Sequence, residues 1–250
     1  MKNSIKQEQN QMNSGSAERE NVRPKAKLNT NSNAYIIIYS AVLVVIVAFL
    51  LAFVYQALKP MQDANVALDV KKQILYSLNI RDLDGAEAEA KYAEVVKEEK
   101  EDENGQKGYE CQIDGKNILV VSLKGMGLWG GISGYLAIDP EGKVYGAYFN
   151  HESETAGLGA EIKDSQEWQE KFIGKQIWDE NGNVVLSIVK KVEDPATQVD
   201  VVTGATLTSN GVNAMLKDGL KSLKNYSVGK LIESIESADS VNVEPKAEEE

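Results

Sequence analysis

The chain has 250 residues, 42% of them hydrophobic and 26% charged, proportions of a globular protein rather than a disordered one. Its net charge of −11 divides unevenly: residues 1–58 hold six Lys or Arg against three Asp or Glu, so residues 59–250 carry −14, a charge that sets them against nucleic acid. One cysteine (Cys111) and one histidine (His151) exclude an internal disulfide, the usual zinc sets and Cys–His nucleophilic catalysis, so any redox role needs a cofactor from outside the chain.

Residues 1–33 are rich in Asn, Gln, Ser and charge and poor in large apolar side chains. They can bury too little surface to order themselves and read as a flexible cytoplasmic tail. Residues 34–58 form an uncharged apolar run of 25 residues, and about 20 residues at a rise of ~1.5 Å cross the hydrocarbon of a bilayer. Tyr35, Tyr39 and Tyr55 lie near its ends, where amphipathic rings prefer the interface. The run exceeds the roughly 7–15 residues of a signal-peptide core and lacks a small-residue cleavage site after it, so a transmembrane helix is expected. Arg19, Arg23, Lys25 and Lys27 precede the run and Lys59 follows it. That bias puts the N-terminus in the cytoplasm and residues 59–250 outside it.

Beyond Pro60, Val66, Val70, Ile74 and Leu78 recur at helical spacing and predict a helix leaving the membrane. A charged helix is expected over 86–100. Strands are expected over 117–123, 134–138 and 144–149, the last two joined by an Asp139-Pro140-Glu141-Gly142 turn in which proline presets φ and glycine supplies freedom. A helix over 168–173, a strand over 184–192 and an amphipathic helix over 209–223 complete the series, the last with Val212, Met215, Leu216, Leu220 and Leu223 on one face. Residues 59–233 thus read as one α+β domain of antiparallel sheet packed by helices, and 234–250 as an acidic mobile tail.

Three segments invite a functional reading. The Gly-rich stretch 125–134 contains a literal GxGxxG at Gly125, Gly127 and Gly130, but a strand pattern follows where a dinucleotide site needs a helix, so that reading is rejected. Trp129 within it reads as a core residue ahead of a stacking partner. Residues 150–162 are too polar and Gly-rich for a regular element; Glu152 and Glu154 there read as an exposed acidic loop rather than an acid–base pair. Residues 200–212, DVVTGATLTSNGV, run from strand through turn to helix. That geometry aims free N–H groups and the positive end of the helix dipole at the turn, with Thr203, Thr206, Thr208 and Ser209 around it. An anion site and an ordinary helix start capped by Thr or Ser fit the residues equally well.

Asp-x-x-Thr-Gly-Ala-Thr at 200–206 resembles the flavinylation signature of the FMN-binding domain family, with Thr203 where many relatives have serine. The extension Leu-Thr-Ser-Asn-Gly-Val, the 151–159 loop HESETAGLG and the 127–137 segment GLWGGISGYLA are similar to those of C subunits of sodium-translocating NADH:quinone reductases. The similarity covers residues 34 to about 225. It implies FMN attached through a phosphoester to Thr206 by a separate flavin transferase, with Gly204 and Ala205 giving that enzyme room and Asp200 belonging to its recognition pattern. It implies further that Glu154, Thr155, Gly157, Leu158 and Gly159 lie against the flavin, with Thr203 and Thr208 beside the phosphate and Trp129 as a wall. The implied role is relay of single electrons within a membrane complex whose other subunits oxidise NADH and reduce quinone, and which couples that electron flow to sodium export. No catalytic side chain and no metal ligand are implied. The flavoprotein subunit of the related ferredoxin:NAD reductase is the nearest alternative, and a membrane-anchored binding module without flavin is the alternative of another class. Threonine-nucleophile hydrolysis lacks its activating base.

Overall fold

The computed structural model describes residues 32–102 and 105–223. Nearly all of the tail expected over 1–33, and all of that expected over 234–250, lie outside the described residues. The chain divides into two compact units, residues 1–60 and 61–250.

Helix α1, Asn33–Ser77, begins in the first unit and is long and apolar enough to cross a membrane. Ile37, Val45, Phe49 and Phe53 are exposed along it, an arrangement that suits lipid rather than water. The helices expected on either side of Pro60 are a single helix. A proline removes one i→i−4 hydrogen bond, here to the Gln56 carbonyl, while the neighbouring turns keep theirs. Within the second unit, Ile74, Leu75 and Leu78 are buried, whereas Val66, expected on the same stripe, is exposed.

Helix α2, Gly85–Val95, starts at a capping box in which Asp84 and Glu87 satisfy each other's backbone N–H groups. It ends sooner than expected, because Val96–Glu101 is strand β1. Its charges serve cross-strand pairing, with Lys100 bonding Glu110 and Glu99 bonding Lys107, while Lys100 also bonds Glu98 on its own strand. A short, charged edge strand of this kind resists pairing with other chains.

Strands β2 (Lys107–Ile113) and β3 (Lys116–Met126) form a hairpin. Its two turn residues, Asp114 and Gly115, both have positive φ, 50° and 76°, as the twist-matched two-residue turn requires. Strand β2 was not expected, although Asp-Gly is the sequence signal for such a turn. Strands β4 (Gly131–Ile138) and β5 (Val144–His151) follow, joined by the expected Asp139–Gly142 turn, whose Asp139 carboxylate accepts the N–H groups of Glu141 and Lys143. The five strands form an antiparallel sheet in the order β1-β2-β3-β4-β5.

Both faces of this sheet are covered, which explains the unbroken apolar run of β3. Ile118 and Val120 pack in a cluster with Ile74, Leu78 and Ala88, while Leu119, Val121 and Leu123 join Phe149, Phe172 and Leu216 in another. The second cluster is closed by α3 (Glu161–Asp164), α4 (Gln166–Glu170), the parallel pair β6 (Ser187–Val189) and β7 (Gln198–Asp200), and α5 (Thr206–Ser222). Only three residues of the strand expected over 184–192 pair as one. Helix α5 buries Val212, Met215, Leu216 and Leu220, each worth about 1.5–3 kcal/mol. It comes so close to β3 that a Cβ at Gly211 would collide with the Met126 carbonyl oxygen. The α+β architecture of antiparallel sheet and helices is as expected.

Candidate functional site

Sheet and helix α5 bring three distant segments together. The turn between β3 and β4 is closed by the Gly127 N–H donating to the Gly130 carbonyl, 2.8 Å. The loop after β5 folds back on itself where the N–H groups of Leu158 and Ala160 both reach the Thr155 carbonyl. The third segment turns from β7 into α5 through Gly204, whose φ of 78° lies in the left-handed region that glycine occupies without strain. Between them lies a concave site of about 430 Å³. Leu128 and Trp129 line it from the first segment, Glu154, Thr155, Leu158 and Gly159 from the second, and Gly204 to Thr208 from the third.

Helix α5 begins at Thr206, three residues earlier than expected, with Ala205 as its N-cap and no side-chain capping bond. The hydroxyls that a capped start would use are engaged elsewhere. Ser209 Oγ accepts the Val202 N–H at 3.0 Å, and Thr208 Oγ1 donates to Glu154 Oε2 at 2.6 Å. The first N–H groups of the helix and the positive end of its dipole therefore face the site beside Thr206. The ordinary start capped by a Thr or Ser side chain is not formed.

Glu154 is not the exposed acidic residue expected of a polar loop; it is 7% exposed. Its Oε1 accepts the Trp129 N–H at 2.8 Å while Oε2 holds Thr208, so one carboxylate ties all three segments together. Burial pushes its acidity toward the neutral form. The Thr208 hydroxyl and the N–H groups of Trp129, Leu128 and Gly130 outweigh that, and Glu154 is held below the usual carboxylate range. Trp129 departs from its expected core position. Its side chain is 67% exposed and only its backbone is pinned.

Three of the expected site residues lie elsewhere. Gly157, Asp200 and Thr203 line a neighbouring groove of about 410 Å³ rather than the concave site. The Asp200 carboxylate pairs with Lys171 Nζ at 3.0 Å and its carbonyl accepts the Trp168 indole N–H at 2.8 Å. Sequence reasoning missed Lys171 and Trp168, which no local signal connects to residue 200. It also missed Leu128 and Leu207, exposed apolar residues on the rim; their signal was an apolar side chain at a turn or helix start, where a polar one is ordinary.

The model of the FMN-binding domain family matches residues 127–221, which hold all three segments. The C subunit of the Na(+)-translocating NADH-quinone reductase of Pseudomonas aeruginosa is 37% identical over 123 residues, 44% of this chain and 47% of that protein. Its counterpart in Neisseria meningitidis is 37% identical over 133 residues, 52% of this chain and 47% of that protein. The chain thus matches about half the length of these curated relatives. The crystal structure of the corresponding C subunit from Parabacteroides distasonis superposes with a TM-score of 0.61 at 32% identity, over 66% of this chain and 94% of that one. That of Shewanella oneidensis NqrC, at 20% identity and a TM-score of 0.54 over 68% of this chain and 97% of that one, shares the fold.

Proposed function

The chain belongs to the family of C subunits of the Na(+)-translocating NADH-quinone reductase, and we propose that it is the electron-carrying flavoprotein subunit of such a complex, with FMN joined to Thr206. The observation that carries this reading is the position of Thr206. It stands half-buried at the first turn of an uncapped helix, on the wall of a concave site rimmed by apolar side chains.

These residues fit the group. A phosphate on Thr206 Oγ1 meets free helix N–H groups and the dipole's positive end, an arrangement that stabilises anions without a lysine. The exposed faces of Leu128, Trp129, Leu158 and Leu207 offer apolar contact to flat rings, and a site of about 430 Å³ is within the roughly 300–1,000 Å³ of small-molecule pockets. Bound FMN supplies one-electron transfer; the protein supplies position, burial and local charge. Attachment belongs to a separate flavin transferase that takes the FMN unit from FAD, so Thr206 needs no activating base. Asp200, on the outer side of the turn, marks the motif for that enzyme.

On this reading NADH oxidation and quinone reduction take place on other subunits, and the complex couples the electron flow to sodium export. Residues 34–58 anchor this one in the bacterial inner membrane, with the N-terminus cytoplasmic and residues 59–250 periplasmic. Protease added to cells with a permeabilised outer membrane is expected to digest the acidic part; protection there reverses the topology.

The test of the cofactor is direct. The full chain is co-expressed with a flavin transferase, denatured, and examined on a gel for flavin fluorescence at 27.4 kDa. The wild type is expected to fluoresce and Thr206→Ala to be dark. A dark wild type beside a fluorescent control protein refutes the flavoprotein reading, and a fluorescent mutant moves the attachment elsewhere.

A further inference from the structure

The buried carboxylate of Glu154 goes beyond what holding a loop requires. It sits in the wall of the site, between the 127–130 turn and the first turn of α5, and both of its oxygens are engaged by neutral donors: the Trp129 N–H at 2.8 Å and the Thr208 hydroxyl at 2.6 Å. Two glycines clear its place. A Cβ at Gly159 would stand 2.5 Å from Oε2 and 2.7 Å from Thr208 Oγ1, and a Cβ at Gly127 would collide with Oε1. A loop of this kind could be closed by a neutral amide with the same hydrogen bonds. Here a full negative charge is closed in beside the cavity, stabilised by donors that carry no charge of their own.

We propose that Glu154 is a positioning residue that also tunes the redox site: its fixed negative charge lowers the electron affinity of a flavin held in the cavity, while its hydrogen bonds set the spacing of the cavity walls. The inference rests on the flavoprotein reading above. An electron added to a flavin without a proton puts another negative charge in the same cavity. A nearby carboxylate opposes it, more strongly the less water lies between. Charge and scaffold are separable by substitution. In Glu154→Gln the amide oxygen still accepts the Trp129 N–H and the amide nitrogen donates to the Thr208 oxygen, so the strut survives and the charge goes. In Thr208→Val the charge stays and the strut loses one bond.

The experiment is a spectroelectrochemical titration of the full-length flavinylated chain at neutral pH, with dithionite as the electron source, alongside thermal melts of each variant. Glu154→Gln is expected to keep covalent flavin and a near-wild-type melting temperature, and to shift the midpoint potential upward. Glu154→Ala is expected to shift it upward as well, with a lower melting temperature. Thr208→Val is expected to melt lower without an upward shift in potential. A flavin-loaded Glu154→Gln with the wild-type potential overturns the tuning role. So does a Glu154→Gln that folds but takes no flavin, since the charge then serves loading. A Glu154→Gln that fails to fold overturns the claim that the strut outlives the charge. Absence of flavin from the wild type is seen separately on the gel and removes the parent reading, and this one with it.

Discussion

Replacing Thr208 with Val keeps the shape of the side chain and removes the hydroxyl that donates to Glu154. Both residues are buried, at 1% and 7% exposure, so solvent cannot replace the lost bond. A hydrogen bond to a charged group contributes about 1.5–3 kcal/mol. For a domain of ~150–250 residues each kcal/mol moves the melting temperature by about 2–4 °C, so a fall of about 3–12 °C is expected. The assay is thermal unfolding of the flavin-free full chain in detergent, followed by tryptophan fluorescence, with the buried Trp168 as the principal reporter. Acid supplies the second test. Glu154 is held below the usual carboxylate range, so its stabilising contribution is complete above its unfolded pKa and is lost as pH falls through the lower, folded one. The gap between wild type and Thr208→Val should therefore narrow under acid, once the protonated carboxyl no longer needs the donor. Thr208→Ser, which keeps the hydroxyl, should recover most of the loss. A gap below about 1 °C at neutral pH, or one that widens on acidification, refutes the strut.

Two further substitutions separate recognition from folding. Asp200→Asn removes the ion pair with Lys171, which is half exposed and worth about 0–1 kcal/mol; melting should scarcely change while flavin on the gel band falls sharply, and full loading would show that Asp200 is not read by the transferase. Trp129→Ala truncates an exposed side chain and should change stability by no more than about 0.5 kcal/mol. The native flavin fluorescence should rise as a quenching ring leaves the wall of the site; unchanged fluorescence places the ring away from the flavin.

Features written in a few consecutive residues were legible. The uncharged 34–58 run, the Asp139–Gly142 turn and the strand–turn–helix around Gly204 each carry their own physical cause, and each is present. The charged 96–101 segment misled because its Lys and Glu spacing suits a helix face as well as an edge strand. What decides is Lys100 and Lys107 finding Glu110 and Glu99 across the sheet, information held in strands the segment cannot see.

The same division runs through the site. Local sequence determined that a turn leads into a helix, expected to start near Ser209 and found to start at Thr206, and that glycines and hydroxyls cluster there. Only the tertiary structure decided which hydroxyl does what, because Thr208 meets Glu154 across 54 positions of chain and Asp200 meets Lys171 across 29. It decided too that Glu154 is buried and Trp129 exposed, against the polarity of both. Two N–H and O–H donors converging on one carboxylate can outweigh the cost of burying it, and no propensity of a single residue contains that convergence.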